Sequence, residues 1–530
     1  MHPADNELTM ARLLSVAARN YGATDGLVDL GEAKPAPVSI GDLYDRAVGL
    51  ASLHRSEFGI ARDDRVAVIS RNSRHFGLLW RACLLGGGVL NPVNTRLAPA
   101  EWEQILGHSD ARLIYVDGAH AAKVQALQSA GRLPAHAILL PFDAEASEIL
   151  ERPAYETMLA AHTDRTPVAV RETDIALLMY TGGTTGSPKG VVHTQRAIAL
   201  ASYRFGMMGM YRKPIRYLSS MPMFHIGALI STMVNVRGGT NYILPAFEAG
   251  MWLEAIERHD IDIAGLAPTA ARMVLDHPAF DPSRLRSLEL LAYGASPMSR
   301  GLLDELSAAL PQVGFIQTYG LTESCAFVTE LTPLDHREPH LLASAGRAFP
   351  GVDISIRAPD SSERPTGATG EIWLRGGSML REYWNNPAAN AAAFEDGWFR
   401  TGDLGYVDDS GYLFLADRLK DMIVSGGENI YSIEVETVLS THPAVAQVAV
   451  IGIPHEKWGE AVHAIIVCRS DGERPGADEL IAHCRERLAG YKLPKSIEFR
   501  DTPLPVSGAM KVQKHLIAAP FWKGRERRIN

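Results

Sequence analysis

Cysteine is scarce in this 530-residue chain: four residues, Cys83, Cys325, Cys468 and Cys484, are scattered without a metal-ligand spacing. That scarcity excludes a disulfide framework and a zinc cluster, and it predicts free thiols in a reducing compartment. Long apolar runs are missing too, since none approaches the roughly 20 residues that span a bilayer. Positive charge is in deficit: 52 Lys and Arg stand against 61 Asp and Glu, a net charge of -9, so no bulk field draws nucleic acid or an anionic membrane. The one basic cluster, WKGRERR at 522–528, reads as a solvated tail. No internal repeat or low-complexity segment stands out. The N-terminus carries Asp5 and Glu7 before apolar residues accumulate, and Thr9 is a cap for the helix MARLLSVAARNYG, so a signal peptide is not expected. These absences predict a cytoplasmic globular protein with neither a nucleic-acid partner nor a membrane span.

What is present is core-forming material, 46% apolar residues in 57.6 kDa, enough for more than one domain. From about residue 60 to 330, short apolar runs such as RVAVIS, ARLIYV, IALLMY, DIAGLAP and LELLAYG alternate with helical periods, as in parallel sheets covered by helices. After 350 the texture turns β-rich and glycine-punctuated (VDISIRAP, GEIWLRGG, GYLFLADR), and beyond about 420 helices and strands mix again. The predicted fold class is α/β: a large N-terminal domain of helix-covered sheets plus a small β-rich subdomain, with a smaller α+β C-terminal domain. The expected division is 1–419 and 420–530.

Residues 180–190 read YTGGTTGSPKG, in which glycines free backbone N–H groups and threonines and a lysine add donors, the makings of an anion cradle. It is not a Walker A loop. Lys189 follows proline, and Gly190 stands where a metal-binding hydroxyl would be needed. An apolar run at 175–179 reads as a buried strand feeding the loop, and a helix is predicted from Thr194.

Five further stretches carry related chemistry. QTYGLTES, from Gln317 to Ser324, offers an aromatic ring, a hydroxyl and a carboxylate suited to magnesium. FRTGDLG presents Asp403, a carboxylate that accepts hydrogen bonds from a diol. ADRLKDMIVSGGENI supplies Arg418 and a glycine pair, AYGASP is a flat small-residue turn, and LPVSGAMKVQK holds Lys511.

In this order the six stretches closely resemble the adenylate-forming superfamily, in particular its acyl-CoA synthetase branch, over nearly the whole chain. The resemblance implies a mobile C-terminal domain, ATP and magnesium, and coenzyme A as co-substrate. Residue by residue, it implies that Thr181, Gly182, Gly183, Thr184, Thr185, Gly186 and Lys189 hold the outer phosphates. Gly294, Ala295, Ser296 and Gln317 fall on the adenine side, with Tyr319 as the stacking ring. Thr322 meets the α-phosphate, Glu323 the magnesium, Asp403 and Arg418 the ribose. Lys420 is the hinge and Lys511 the lysine bridging carboxylate and α-phosphate, while Gly426, Gly427 and Trp458 face the pantetheine arm. His225 sits at the mouth of the acyl pocket, as a shape element rather than a base, with Gly227, Ala228, Gly294 and Ala326 giving room.

Two positions depart from the family pattern. Gly182 replaces a serine, and Met510 stands where glycine usually precedes the lysine, which makes Lys514 the nearest competitor of Lys511. Trp458 as plain core is the bland reading of a lone tryptophan. Cys325 is expected to line the site, since nothing near it in sequence supplies an activating base. The function implied is an AMP-forming ligase joining a monocarboxylic acid, medium-chain or aromatic, to coenzyme A. No basic residue in HIGAL, LAYGAS or CAFV would pair a second carboxylate. The alternative is an enzyme loading a carrier protein, disfavoured because no carrier segment follows residue 530. A homodimer is the open expectation for assembly.

Overall fold

The runs RVAVI and LIYV are buried along nearly their whole length, the pattern of strands covered on both faces. The computed structural model describes residues 7–181, 188–208, 214–294, 298–426, 428–469, 474–507 and 511–523. Its first sheet runs in the order Glu382–Tyr383, Lys189–Thr194, Ile175–Thr181, Val89–Pro92, Arg65–Ile69, Leu113–Val116, Ile138–Pro141. The last five are parallel, and the first two are antiparallel additions. The antiparallel strands Ile175–Thr181 and Lys189–Thr194 therefore flank the 182–187 stretch. The predicted helix follows at Gln195–Met207, capped by the Thr194 hydroxyl.

A second sheet of fourteen strands, counted among the described residues, has a parallel half containing Arg216–Ser219, Ile263–Leu266, Leu290–Gly294 and Gly314–Tyr319. The β-rich layer is not set apart from it. Thr329–Leu331 and Gly346–Ala348 continue the sheet antiparallel into Tyr412–Arg418, Trp398–Val407 and Gly370–Gly376. A buried arginine fastens the two sheets: Arg204, on the helix Gln195–Met207, donates to the carbonyls of Phe327 and Gly351, both at 3.1 Å, and to the Ser378 hydroxyl. Helices fill in around these sheets with large apolar anchors such as Trp252, 1% exposed, whose truncation to alanine would cost about 3–5 kcal/mol.

The remaining sheet joins Glu428–Ile430, Ile423–Ser425, Gly459–Cys468 and Val445–His455, with Ser496–Arg500 alongside, and packs on Ser432–Ser440 and Ala477–Arg485. The expected boundary at 419/420 lies in the turn between Tyr412–Arg418 and Ile423–Ser425, where Asp421 and Met422 donate back to the Arg418 carbonyl. Thr181, Gly294 and Tyr319 each end a strand, so the site gathers at the carboxyl edge where open α/β sheets bind ligands.

Candidate active site

Two cavities share a wall made of Gly294, Thr318 and Gly320. One, of about 330 Å³, is the more polar of the two and includes Gln317, Tyr319, Asp403, Arg418 and Lys511. The other, of about 360 Å³, is mostly apolar and runs under Met179, Phe205, Leu229 and Ile263 to His225. Three strand ends thus bring a charged chamber against a greasy one.

In the polar chamber, adjacent antiparallel strands put Asp403 opposite Arg418. The Asp403 carboxylate accepts from the Tyr319 hydroxyl at 2.7 Å and pairs with Arg418 Nε at 3.3 Å. Tyr319 was expected as a stacking ring; its hydroxyl also holds the aspartate. Gln317 Oε1 accepts from Tyr293 at 3.2 Å, and the same phenol meets His336 Nε2 at 2.9 Å. Lys511 reaches this chamber from a small hairpin closed by the Val506–Val512 bridge and the Ser507 N–H to Lys511 carbonyl bond of 2.7 Å. Burial, reinforced by the Arg418 charge, lowers its ammonium pKa to about 8. Lys514 borders the same cavity but is paired there: its ammonium is 2.7 Å from Glu436 and 2.6 Å from the Ser432 hydroxyl. Burial opposes that charge, but Glu436 and Asp417 outweigh it and keep the pKa above the ordinary value. Lys511, not Lys514, is the lysine that faces Asp403 and Arg418.

A strained turn packs on Gly320 from the apolar side of the shared wall. Cys325 and Ala326 have φ of 54° and 82°, values that non-glycine residues rarely adopt, directly after the short helix Thr322–Ser324. Gly320 is obligatory beneath it, because an added Cβ would lie 1.3 Å from the Ala326 carbonyl oxygen. His193, driven to a pKa of about 4 by burial, is a neutral imidazole whose Nε2 meets the Thr322 carbonyl at 2.6 Å and steadies the turn. Glu323 is held by the Tyr383 hydroxyl at 2.9 Å, and Lys189 lies over the same Tyr383 ring at 5.1 Å. Burial raises the Glu323 pKa, a penalty on the carboxylate that a cation beside it would offset. Among the described residues no cluster of three or more His, Cys, Asp or Glu side chains could hold a metal. A single buried carboxylate suits magnesium, which binds through one or two carboxylates together with substrate phosphates.

In the apolar chamber, burial brings His225 to a pKa of about 4, so it is neutral and in keeping with a shape role. Its turn, Met223–Gly227, is kinked at His225 itself, whose φ of -117° and ψ of -137° are not helical. Gly227 and Ala228 are not on the cavity wall. A Cβ at Gly227 would meet the Met221 and Pro222 carbonyl oxygens at 2.4 and 2.8 Å, so this glycine serves the tight turn rather than the room inside. Gly294 and Ala326 do line the cavity, as does Cys325, whose thiol pKa burial pushes up to about 12. Arginines enter from segments outside HIGAL, LAYGAS and CAFV: Arg71 and Arg96 are both on the lining. Arg96 also donates to the Ser507 carbonyl at 3.2 Å, touching the hairpin that carries Lys511.

Gly426 and Trp458 line neither chamber. They lie against each other, with the Gly426 N–H donating to the Trp458 carbonyl at 2.9 Å, φ +63° at the glycine, and the indole stacked on His455. Trp458 is half-buried and outside every core cluster, against the bland core reading. Gly182, Gly183, Thr184, Thr185, Gly186, Ala295, Ser296, Gly427 and Met510 lie outside the described residues. Sequence reading missed Tyr383, Arg96, His193 and Asp417. Of these only the HTQ segment after the loop carried a local signal, a histidine inside a strand.

A family model described as AMP-binding enzyme matches residues 16–384, and one described as AMP-binding enzyme C-terminal domain matches residues 434–511. This chain belongs to the AMP-binding enzymes. The enzyme is 36% identical to the long-chain fatty acid–CoA ligase FadD13 of Mycobacterium tuberculosis, over 87% of this chain and 89% of the relative. It is 35% identical to the fatty acid–[acyl-carrier-protein] ligase ScoC of Streptomyces coeruleorubidus, over 89% of each. Among solved structures it resembles the o-succinylbenzoate CoA synthetase of Bacillus subtilis bound to its acyl-adenylate (TM-score 0.81, 28% identity, 95% of this chain and 97% of that one). These likenesses put the enzyme in the adenylate-forming superfamily, on its CoA ligase branch, as an AMP-forming acid–thiol ligase. No helix among the described residues is long and apolar enough to cross a membrane.

Proposed function

We propose that this enzyme activates a monocarboxylic acid, medium-chain or aromatic, as an acyl-adenylate and passes the acyl group to coenzyme A. The observation that carries the reading is the Lys511 side chain in the Asp403–Arg418 chamber, on the far side of Gly294 and Gly320 from an apolar cavity of about 360 Å³. A volume of that order fits a small ligand.

In the first step a carboxylate oxygen attacks the α-phosphorus of ATP in line; the new O–P bond forms as the bond to pyrophosphate breaks. Lys511 and the Thr322 hydroxyl stabilise charge on the α-phosphate, and Asp403 with Arg418 holds the ribose. Thr181, Thr184, Thr185 and Lys189 grip the outer phosphates, with Gly182, Gly183 and Gly186 freeing backbone N–H groups around them. Gly294, Ala295, Ser296, Gln317 and Tyr319 border the base. Magnesium, held by Glu323 and the phosphates, would supply neutralising charge. In the second step the coenzyme A sulfur, as thiolate, attacks the acyl carbon and the C–O bond to AMP breaks. Residues 420–530 turn about Lys420 between steps, withdrawing Lys511 and bringing Gly426, Gly427 and Trp458 to the thiol's path.

The purified protein with ATP, magnesium, coenzyme A and a panel of acids should yield AMP, pyrophosphate and acyl-CoA in equal amounts. ADP and phosphate would overturn the reaction class. A second reading, transfer to a carrier protein, is favoured by the 35% identity to a fatty acid–carrier-protein ligase. Mass spectrometry of acyl-CoA against acyl-carrier product, with both acceptors present, decides between them.

A further inference from the structure

Tyr217 is a polar group inside the apolar chamber that the proposed chemistry leaves unused. It sits on the strand Arg216–Ser219, between Asn241 and Ile263 on the flanking parallel strands, and is 4% exposed. Its ring belongs to the apolar core, yet it also lines the cavity. The hydroxyl lies beside Gly265: a Cβ built there would be 3.3 Å from it, so the missing side chain keeps the space around the phenol open.

Several other buried polar groups on this wall are matched, His193 Nδ1 being an exception. Asn72 donates to the Met221 and Leu244 carbonyls and accepts from the Met223 N–H, and Tyr293 is joined to Gln317 and His336. Ser220 reaches the Gly265 carbonyl at 3.4 Å. For the Tyr217 hydroxyl there is no hydrogen-bond partner among the described residues, although it is not sealed off from the cavity. Buried hydroxyls are normally paired, so this one is paired by what enters the cavity.

Register sets the depth. Gly265 is level with Ala292, and Gly294, at the chamber wall, lies two residues further along the same strand. Two strand residues span roughly 7 Å, about the reach of an aromatic ring and its para substituent beyond a carboxylate at Gly294. Burial drives the phenol pKa upward, so the group stays a neutral donor and acceptor. A neutral phenol does not offset a buried charge, so the partner is neutral as well.

We propose that Tyr217 is a specificity-determining residue that hydrogen-bonds a neutral oxygen or nitrogen substituent at the distal end of the acid, which makes hydroxylated aryl acids the preferred substrate class. This rests on the apolar chamber being the acyl site. The test compares matched acids, 4-hydroxybenzoate with benzoate, 4-hydroxycinnamate with cinnamate and 8-hydroxyoctanoate with octanoate, by kcat/KM for acid-dependent pyrophosphate release. Wild-type enzyme should prefer the hydroxylated aryl acid by at least about tenfold in one aryl pair, because a site built to pair a hydroxyl discriminates strongly against its absence. Tyr217→Phe should abolish that preference while keeping activity on the unsubstituted partner, and its Tm without substrate should not fall.

A hydroxyl preference that is absent from the wild type, or that survives Tyr217→Phe, overturns the proposal. So does a preference confined to the octanoate pair. A fall in Tm would mean that a trapped water already satisfies the phenol, and would overturn it too. Turnover of plain acids without hydroxyl preference sinks only this inference, whereas no pyrophosphate from any acid sinks the acid-activating reading with it.

Discussion

Asp417 and Ser432 are joined across the turn that links the two parts of the chain: the Asp417 carboxylate accepts the Ser432 N–H, and its other oxygen accepts the Ser432 hydroxyl at 3.1 Å. Ser432 begins the helix Ser432–Ser440, which has no side-chain cap of its own at Tyr431. A residue before the linker therefore caps a helix after it. Two other contacts cross in the same arrangement, Arg469 to Glu305 at 2.9 Å and Arg96 to the Ser507 carbonyl. A rotation about Lys420 would have to break all three. Asp417→Ala should remove about 0.5–2 kcal/mol from this arrangement alone, the usual worth of a cap. Adenylation should slow by roughly 2- to 30-fold while thioester formation from supplied acyl-AMP holds or quickens. Equal losses in the two half-reactions would refute the latch.

Lys511→Ala should cost adenylation about 2–4 kcal/mol, the loss of one preorganised donor, and spare the second half-reaction. The same group sets a pH limit. Its lowered pKa of about 8 means that the charged form predominates below that value and is lost above it, so kcat/KM for pyrophosphate release should fall as pH rises through about 8. Lys511→Arg should remove that alkaline limb. A limb unchanged in Lys511→Arg would assign it to another group.

Lys514→Met should act on folding instead. It leaves Glu436 and Asp417 buried without their cation, which typically costs about 3–5 kcal/mol, and the loss should appear in denaturant unfolding. If Lys514→Met keeps full stability but loses adenylation alone, the two lysines have been assigned the wrong way round.

Proline at 420 locks φ near -65° and restricts Leu419 as well. Lys420→Pro should trap the arrangement with Lys511 in the nucleotide chamber, so that acyl-AMP accumulates while thioester formation drops steeply. Both half-reactions measured on one preparation, with circular dichroism for the fold, make the check. Parallel loss, or none, would make Lys420 an ordinary linker residue.

Much of the frame was legible in the chain: Thr9 does cap Met10–Tyr21, and the apolar runs between 65 and 294 are strands in the parallel parts of two mixed sheets. Local periodicity and capping chemistry reach that far. What stayed hidden depends on contacts between residues distant in sequence. Tyr383 meets Glu323 across 60 positions and Arg96 meets Ser507 across 411, and no local pattern marks either. Gly227 misled because small size was read as space, when the backbone oxygens of Met221 and Pro222 already fill the position. Asp417 sits in the ADRLK segment, where Arg418 and Lys420 drew the attention. The continuity of the β-rich layer with the second sheet rests on two three-residue strands, too short for an alternation to register.

The half-buried Trp458, stacked at 4.2 Å on His455, has an optical consequence. The protein has eight tryptophans, and Trp80, Trp102, Trp252 and Trp373 are at most 2% exposed, their emission fixed by core surroundings. Trp458 is set instead in a tight turn with a lysine, Lys495, 5.3 Å over its ring. An indole so placed reports its own solvation and the nearby charge as a shift in fluorescence. If residues 420–530 turn between the proposed half-reactions, that shift, read over the signal of the equally half-buried Trp384, Trp398 and Trp522, should follow the turn without any attached dye.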